Sequence, residues 1–440
     1  MTVSRRSFLT GVGSMAALGA LTSCSGFTKS SSPGSGSSSG SGGTGTITFT
    51  TWASDAEKSA FQKLVTKFEA ANKGAKVNLR VVPYAEMFTG IDTSLQAGTA
   101  PDVFRVDYPT LGLYSSTAQL LDLSGQIDSD LESDFIPALM QAVKFEDKAY
   151  GVPHQTDTTA IVYQPAMLEA AGITTLPDSL DSAWSWEEFN DVAAKLKSSL
   201  TGDVYPFAYD WQQYGAYRWL TWLFEANGRL LADDLVTPAI VSAEGQKALE
   251  YTLNFFTQQW VPKNTSVKGA TYPDTAFMSG KTAMAFVGDF LLPGLDAGIK
   301  KRFDWKVTYQ PKDVRGSTDL GGNALVATQQ SKNPDLAVEF LNFMVQPENM
   351  QAFCEEAVEL PTLQSLVGAD LAFVTRPDLM PTFVEQATTM TPEDVAQVTV
   401  PFFGKVNTLL VDQLELCFIS GQSVDDTLQN IADGLVKAAR

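Results

Sequence analysis

Residues 46–107 read TITFTTWASDAEKSAFQKLVTKFEAANKGAKVNLRVVPYAEMFTGIDTSLQAGTAPDVFRVD, and this stretch decides the fold class. Ile47 and Phe49 alternate with threonines up to Trp52, the period-two pattern of a strand. Ser54 and Glu57 have the spacing of a capping box. Behind them Phe61, Leu64, Val65 and Phe68 share one helical face, and Gly74 is placed to end that helix. Val77, Leu79 and Val81 alternate again as a strand. A second helix is predicted from Tyr84 to Gln96, and 102–106 (DVFRV) reads as a further buried strand. Strand-helix-strand-helix-strand is the pattern of a parallel sheet flanked by helices, so the class is α/β.

Downstream, Tyr150 to Pro153 reads as a turn that opens a new segment, followed by an apolar strand at Ala160 to Tyr163. Helix signals follow at Ser185-Trp186-Glu187-Glu188 and from Ser242 to Gln259. Strand-like runs return at Thr282 to Val287 and Trp305 to Tyr309. Gly321-Gly322-Asn323 precedes a strand at Ala324 to Ala327. Asn333 is expected to cap a helix with Pro334 at its first position and a buried stripe of Leu336, Phe340, Leu341 and Met344. The C-terminus is helical, closing with a helix capped by Ser423. No internal repeat is present.

Upstream, the chain carries an address. Ser4-Arg5-Arg6-Ser7-Phe8-Leu9 fits the twin-arginine export pattern, and the apolar stretch from Gly11 to Leu21 is too short to span a bilayer. Leu21-Thr22-Ser23-Cys24 fits a lipobox, so residues 1–23 are expected to be a cleaved signal and Cys24 to be acylated. Residues 24–45 then hold the lipidated cysteine and a Ser/Gly tether, too polar to bury area and roughly 25 Å from end to end as a coil. The formal charge of −19 becomes −21 once Arg5 and Arg6 leave with the signal. Such a surface repels nucleic acid, which is excluded as a partner.

Searches for catalytic motifs fail. Gly36-Ser37-Ser38-Ser39-Gly40 has the form G-x-S-x-G and 40–45 the form G-x-G-x-x-G, but both lie in the low-complexity tether. Gly280-Lys281-Thr282 resembles the end of a phosphate-binding loop, yet Thr275 stands where its first glycine belongs. The lone histidine, His154, lies beside the turn at 150–153 and reads as structural or pocket-lining. No metal, cofactor or catalytic set is called for. Cys354 and Cys417 fall in helix-like stretches, and their spacing leaves both a disulfide and two buried thiols open.

Several further segments occur in a recognisable order: Ala100-Pro101-Asp102-Val103-Phe104 with Asp107; Ala118 to Leu123; Tyr150-Gly151-Val152-Pro153 with Tyr163 and Ala170-Ala171-Gly172-Ile173; Ser185 to Phe189; Gly280 to Met284 with Gly288-Asp289-Phe290; Gly321-Gly322; and Leu360-Pro361. Together they resemble the extracellular solute-binding proteins of ABC sugar importers. Gln164, where asparagine is usual, and Phe290, where tryptophan is frequent, depart from the pattern. The resemblance implies a periplasmic-binding-protein-like fold (type II) of two hinged α/β lobes with the ligand between them. One lobe would hold 46–156 plus 321–360, the other 157–320 plus 361–440. It also implies a non-enzymatic, monomeric protein, lipid-anchored outside the cell membrane, that delivers a sugar to a membrane permease.

A sugar presents hydroxyls at its edge and C–H groups on its face, so acids and amides beside aromatic rings at strand ends are the candidate contacts. Trp52 ends the first strand and Asp107 and Tyr108 follow the third. Asp157 lies at the expected lobe crossing, and Asp289 and Phe290 follow the Gly288 turn. Gly321, Gly322 and Asn323 precede a strand where backbone could approach the ligand. Trp211 and Tyr214 from the aromatic run 205–222, Glu86 near a helix start, and Phe402 beside Phe403 complete the set; Trp184 and Trp186 are set aside as packing residues. Two other readings remain: a polyamine or other cation in the same fold, because carboxylate-and-aromatic boxes also hold ammonium groups, and a secreted glycosidase.

Overall fold

A computed structural model describes residues 43–440, so the expected export signal at 1–23, Cys24 and most of the expected tether at 24–45 lie outside the described residues. β1 (Gly45–Thr51), α1 (Asp55–Ala71), β2 (Ala75–Val81), α2 (Tyr84–Gln96) and β3 (Val103–Asp107) follow one another as the hydrophobic periods require, and α3 (Tyr108–Ser116) comes next. β1 pairs in parallel with both β2 and β3. The capping box is present: Ser54 Oγ accepts from the Glu57 amide at 3.2 Å, and Glu57 Oε2 accepts from the Ser54 amide at 2.6 Å. Phe49, Phe61, Phe68 and Phe340 pack edge-on or tilted beneath this sheet, their rings 5.1 to 5.6 Å apart.

β4 (Lys144–Phe145) and β5 (Lys148–Ala149) make a small ladder of their own, and β6 (Val152–Gln155) returns to the first sheet. The second sheet holds β7 (Thr159–Tyr163), β8 (Tyr205–Ala208), β9 (Thr282–Gly288) and β10 (Lys306–Thr308) in the order β10-β7-β9-β8. β11 (Asn323–Ala327) completes the first sheet, whose order is β2-β1-β3-β11-β6. β11 runs antiparallel to β3 and to β6, so the parallel sheet expected from the opening residues becomes mixed once the chain returns. Phe189, Phe207, Phe255 and Phe286 fill the core of the second sheet.

The chain crosses between the sheets three times. Residues 156–158 link β6 to β7, and 309–322 link β10 to β11. After the helix Pro347–Ala357, Leu360 exchanges two backbone hydrogen bonds of 2.9 Å with Thr156, and the helix Met380–Ala387 then packs beside β7. The crossings thus run side by side, the arrangement a hinge needs.

Three local expectations are corrected. His154 lies inside β6 rather than beside a turn, fully buried between the rings of Phe61 and Phe353, and burial together with the charge of Arg105 pushes its pKa down to about 3. Asn333 occupies the N-cap position but donates from Nδ2 to the Thr46 carbonyl at 3.0 Å instead of capping the helix. α1 ends at Ala71, before Gly74, whose φ of +96° turns the chain into β2. Cys354 and Cys417 are separate buried thiols.

Candidate functional site

Strand ends from both sheets meet at the crossings and line an open-mouthed cavity of about 290 Å³. Trp52 follows β1, Asp107 ends β3, and Tyr84 opens α2. Gln155 ends β6, and Asp157 lies in the first crossing. The second sheet supplies Gln212, Tyr214, Tyr217 and Arg218 from the segment after β8, together with Tyr272, and Phe290 after β9. The third crossing adds Glu359. An open α/β sheet offers its ligand site where loops leave the strand ends, and two such sheets face each other here.

The aromatic wall is held by neighbours. One face of Trp52 rests on the Arg105 guanidinium, 4.7 Å from the ring centre, and Tyr84 meets it edge-on at 5.0 Å. Tyr84 also meets Tyr214 edge-on at 5.1 Å, a contact between residues of the two sides of the cavity. Tyr272 and Phe290 pair at 6.0 Å.

The polar wall is a relay. Gln155 Nε2 donates to Asn323 Oδ1 at 2.5 Å, and Asn323 Nδ2 donates to Asp107 Oδ1 at 2.6 Å. The Tyr84 hydroxyl donates to Asp107 Oδ2, also at 2.6 Å. Gln155 Oε1 and Asp157 Oδ1 are buried acceptors without a hydrogen-bond partner, and Arg105 Nε and Gln212 Nε2 are buried donors without one. Burial pushes the Asp107 carboxyl up to about 6 despite those donors, and the Asp157 carboxyl up to about 7 despite Arg218 nearby.

Two guanidiniums anchor the carboxylates. Arg105 pairs with Glu57 and lies 3.6 Å from Glu359. Burial is the strongest single influence on Glu57 and opposes its ionisation, but Arg105, Glu359 and the Ser54 amide together outweigh it and the pKa falls below the ordinary carboxylate value. Arg218 Nε donates to Asp319 at 2.9 Å, while its two terminal nitrogens lie 3.7 Å from Asp157 and from Asp210.

Residues 52–351 match the bacterial extracellular solute-binding protein family. The chain belongs to that family. An uncharacterized lipoprotein of Streptomyces antibioticus is 26% identical over 319 residues, covering 71% of this chain and 68% of its own. The diacetylchitobiose binding protein DasA of Streptomyces coelicolor is 25% identical over 308 residues, covering 67% and 68%. In structure the chain is similar to the GacH receptor of Streptomyces glaucescens, solved unliganded and with acarbose. The TM-score is 0.77 at 23% identity, covering 90% of this chain and 98% of the receptor. The fold is therefore the two-lobed one of maltose-binding-protein-like receptors.

In this solute-binding protein the cavity gathers Trp52, Asp107, Asp157, Tyr214, Phe290, Gly322 and Asn323 of the sequence candidates. The others lie elsewhere. Glu86 is exposed on α2, because two helical residues beyond Tyr84 the chain has turned to the opposite face. Tyr108 points into the first core, its hydroxyl donating to the Gln155 carbonyl at 3.1 Å. Trp211 stacks on Phe255 and Phe418 at 5.8 and 5.4 Å and belongs to the second core. Asp289 is fully buried, with Oδ1 accepting from the Thr158 amide at 2.9 Å, so it pins the first crossing. Gly321 abuts Asp157, where a Cβ would sit 2.0 Å from Oδ1. Phe402 packs against the core at the start of the helix Phe403–Ser420.

Tyr84, Arg105, Gln155, Gln212, Tyr217, Arg218, Tyr272 and Glu359 were not among the candidates. The strand-end rule that nominated Trp52 applies equally to Tyr84, which follows β2. Arg105 carried a signal too: an arginine inside an apolar strand must find counterions. Gln155 was hidden by reading β6 as a turn.

Proposed function

We propose that this protein captures a carbohydrate between two hinged lobes and delivers it to the membrane permease of an ABC importer. The observation that carries the reading is the cleft, in which rings of Trp52, Tyr214 and Phe290 stand beside the polar groups of Asp107, Asp157 and Asn323. That pairing suits a ligand with an apolar face and a hydroxylated edge. A relative named for diacetylchitobiose and a structural neighbour solved with acarbose support the same class. The cavity volume is near the lower end of the roughly 300–1,000 Å³ usual for small-molecule sites, which favours a short saccharide.

In this reading the lobes are residues 46–156 plus 321–360 and 157–320 plus 361–440, and ligand contacts from both exist together only when the hinge is closed. The signal at 1–23 directs export, the acyl groups on Cys24 hold the monomeric receptor at the outer face of the membrane, and the tether lets it reach the permease. The protein binds without reacting, so an oligosaccharide is recovered uncut.

The test is a thermal-shift and calorimetry panel of mono- and oligosaccharides on the purified full chain, with chromatography of the recovered ligand. Saturable binding with stabilisation and an intact sugar is expected. A complete lack of binding across the panel, or a cleaved sugar, would refute the proposal.

A further inference from the structure

The cavity carries more negative than positive charge. Glu57, Asp107, Asp157 and Glu359 line it against two cations, Arg105 and Arg218. Arg218 is shared as well with Asp210 and Asp319, which lie behind the wall. Asp107 has only the neutral donors Tyr84 and Asn323. Asp289, fully buried, has only backbone amides. Burial pushes the carboxyls of Glu359 and Asp289 well above the ordinary carboxylate range, which leaves Glu57, Asp107, Asp157, Asp210 and Asp319, five carboxylates, against two guanidiniums.

A second observation is independent of that count. Gln155 is 1% exposed, and its amide nitrogen is committed to Asn323, so its Oε1 is left as an unpartnered acceptor at the cavity wall. Asp157 is 6% exposed, and its Oδ1 has no hydrogen-bond donor, the nearest Arg218 nitrogen being 3.7 Å away. A buried acceptor without a donor is costly, and one bearing charge more so. The donors Arg105 Nε and Gln212 Nε2 on the same wall also lack partners, so the fitting ligand brings hydroxyl acceptors together with a donor, and the charge count asks for that donor to be cationic.

We infer that the carbohydrate carries a positive charge: an amino sugar whose ammonium group donates to Asp157 and Gln155 while its ring lies against the aromatic wall. This rests on the carbohydrate reading above and narrows it. The charged and titratable groups around Asp157 are Arg218, Arg105, Asp107, Asp289, Asp319 and Glu359, with the phenols of Tyr108, Tyr217 and Tyr272. Arg218 already serves three carboxylates, so an added ammonium supplies charge the protein lacks. Burial holds Asp157 and Asp107 partly protonated near neutral pH, and an ammonium beside them drives those protons off.

The test is calorimetry on the full chain at pH 6, where an amine of ordinary pKa is already charged. Glucosamine, galactosamine, mannosamine and the β-1,4-linked glucosamine disaccharide are each compared with the neutral parent and the N-acetyl derivative, with spermidine alongside. Expected is an amine bound at least about tenfold tighter than both of its neutral counterparts. Repeating the titration in buffers of different ionisation enthalpy should register proton release for the amine and none for the neutral sugar. In Asp157→Asn, checked for folding by its melting curve, the amine-to-neutral ratio should fall to within about threefold. If that variant does not fold, the wild-type ratio and the proton count decide alone. A neutral parent or N-acetyl sugar that binds as tightly as its amine overturns the inference and leaves the carbohydrate reading intact. Spermidine binding with no sugar of any kind overturns both.

Discussion

Arg218→Met removes the one cation that Asp157, Asp210 and Asp319 share while keeping most of the side-chain volume. All four side chains are at most 9% exposed, and the guanidinium stands 2.9 to 3.7 Å from the three carboxylates. Breaking a buried ion pair by deleting one partner costs about 3–5 kcal/mol, because the remaining charge is left uncompensated. The cost depends on pH, with a definite sign. Even beside Arg218, burial holds Asp157 at about 7 and Asp210 at about 6, above the unfolded value near 3.9. A carboxyl whose folded pKa is raised stabilises the fold fully below the unfolded pKa, and that contribution is lost as pH rises through the folded pKa. Without Arg218 the folded values rise further, so the variant loses stability more steeply between about pH 4 and 8. Urea denaturation of wild type and variant, without ligand, at pH 4.5 and 7.5 measures this. The expected gap is about 3 kcal/mol or more at pH 7.5, shrinking by more than half at pH 4.5. A gap of the same size at both values would refute the electrostatic argument and leave only packing.

Other substitutions probe separate parts of the structure. Trp52→Ala removes a ring fixed between Arg105 and Tyr84 and should weaken sugar binding roughly tenfold with little change in the melting curve; unchanged affinity by calorimetry would take Trp52 out of the site. Gly322→Ala would place a Cβ 2.4 Å from the Gln155 carbonyl oxygen and the Thr156 Cα at a φ of +93°. It should destabilise the protein by about 1–3 kcal/mol, and a denaturation midpoint equal to wild type would contradict that. Since Cys354 and Cys417 are separate buried thiols, adding reductant should leave the melting temperature where it is, and thiol titration of the unfolded, unreduced chain should find both.

The alternation of Ile47 and Phe49, the Ser54–Glu57 capping box and the stripe from Phe61 to Phe68 carried the opening of the first sheet, because each records a local period or a local hydrogen bond. Candidates such as Trp52, Asp107 and Asp157 were legible for a related reason: they stand where a strand stops or the chain changes sheets. Trp211 was misleading because an aromatic ring satisfies a core and a sugar face equally well, and periodicity does not say which side of a sheet it faces.

The local alphabet of strands, helix starts and turns therefore belonged to the amino-acid order itself. Long-range partnership did not. Arg105 found Glu57 and Glu359 across 48 and 254 positions, and Gln155 found Asn323 across 168. Such pairs are brought together by β11 returning beside β3 and by the sheets facing at their crossings. A carboxylate's charge state and an acceptor's missing donor are set by what surrounds them in space, and neighbours along the chain hold no record of that.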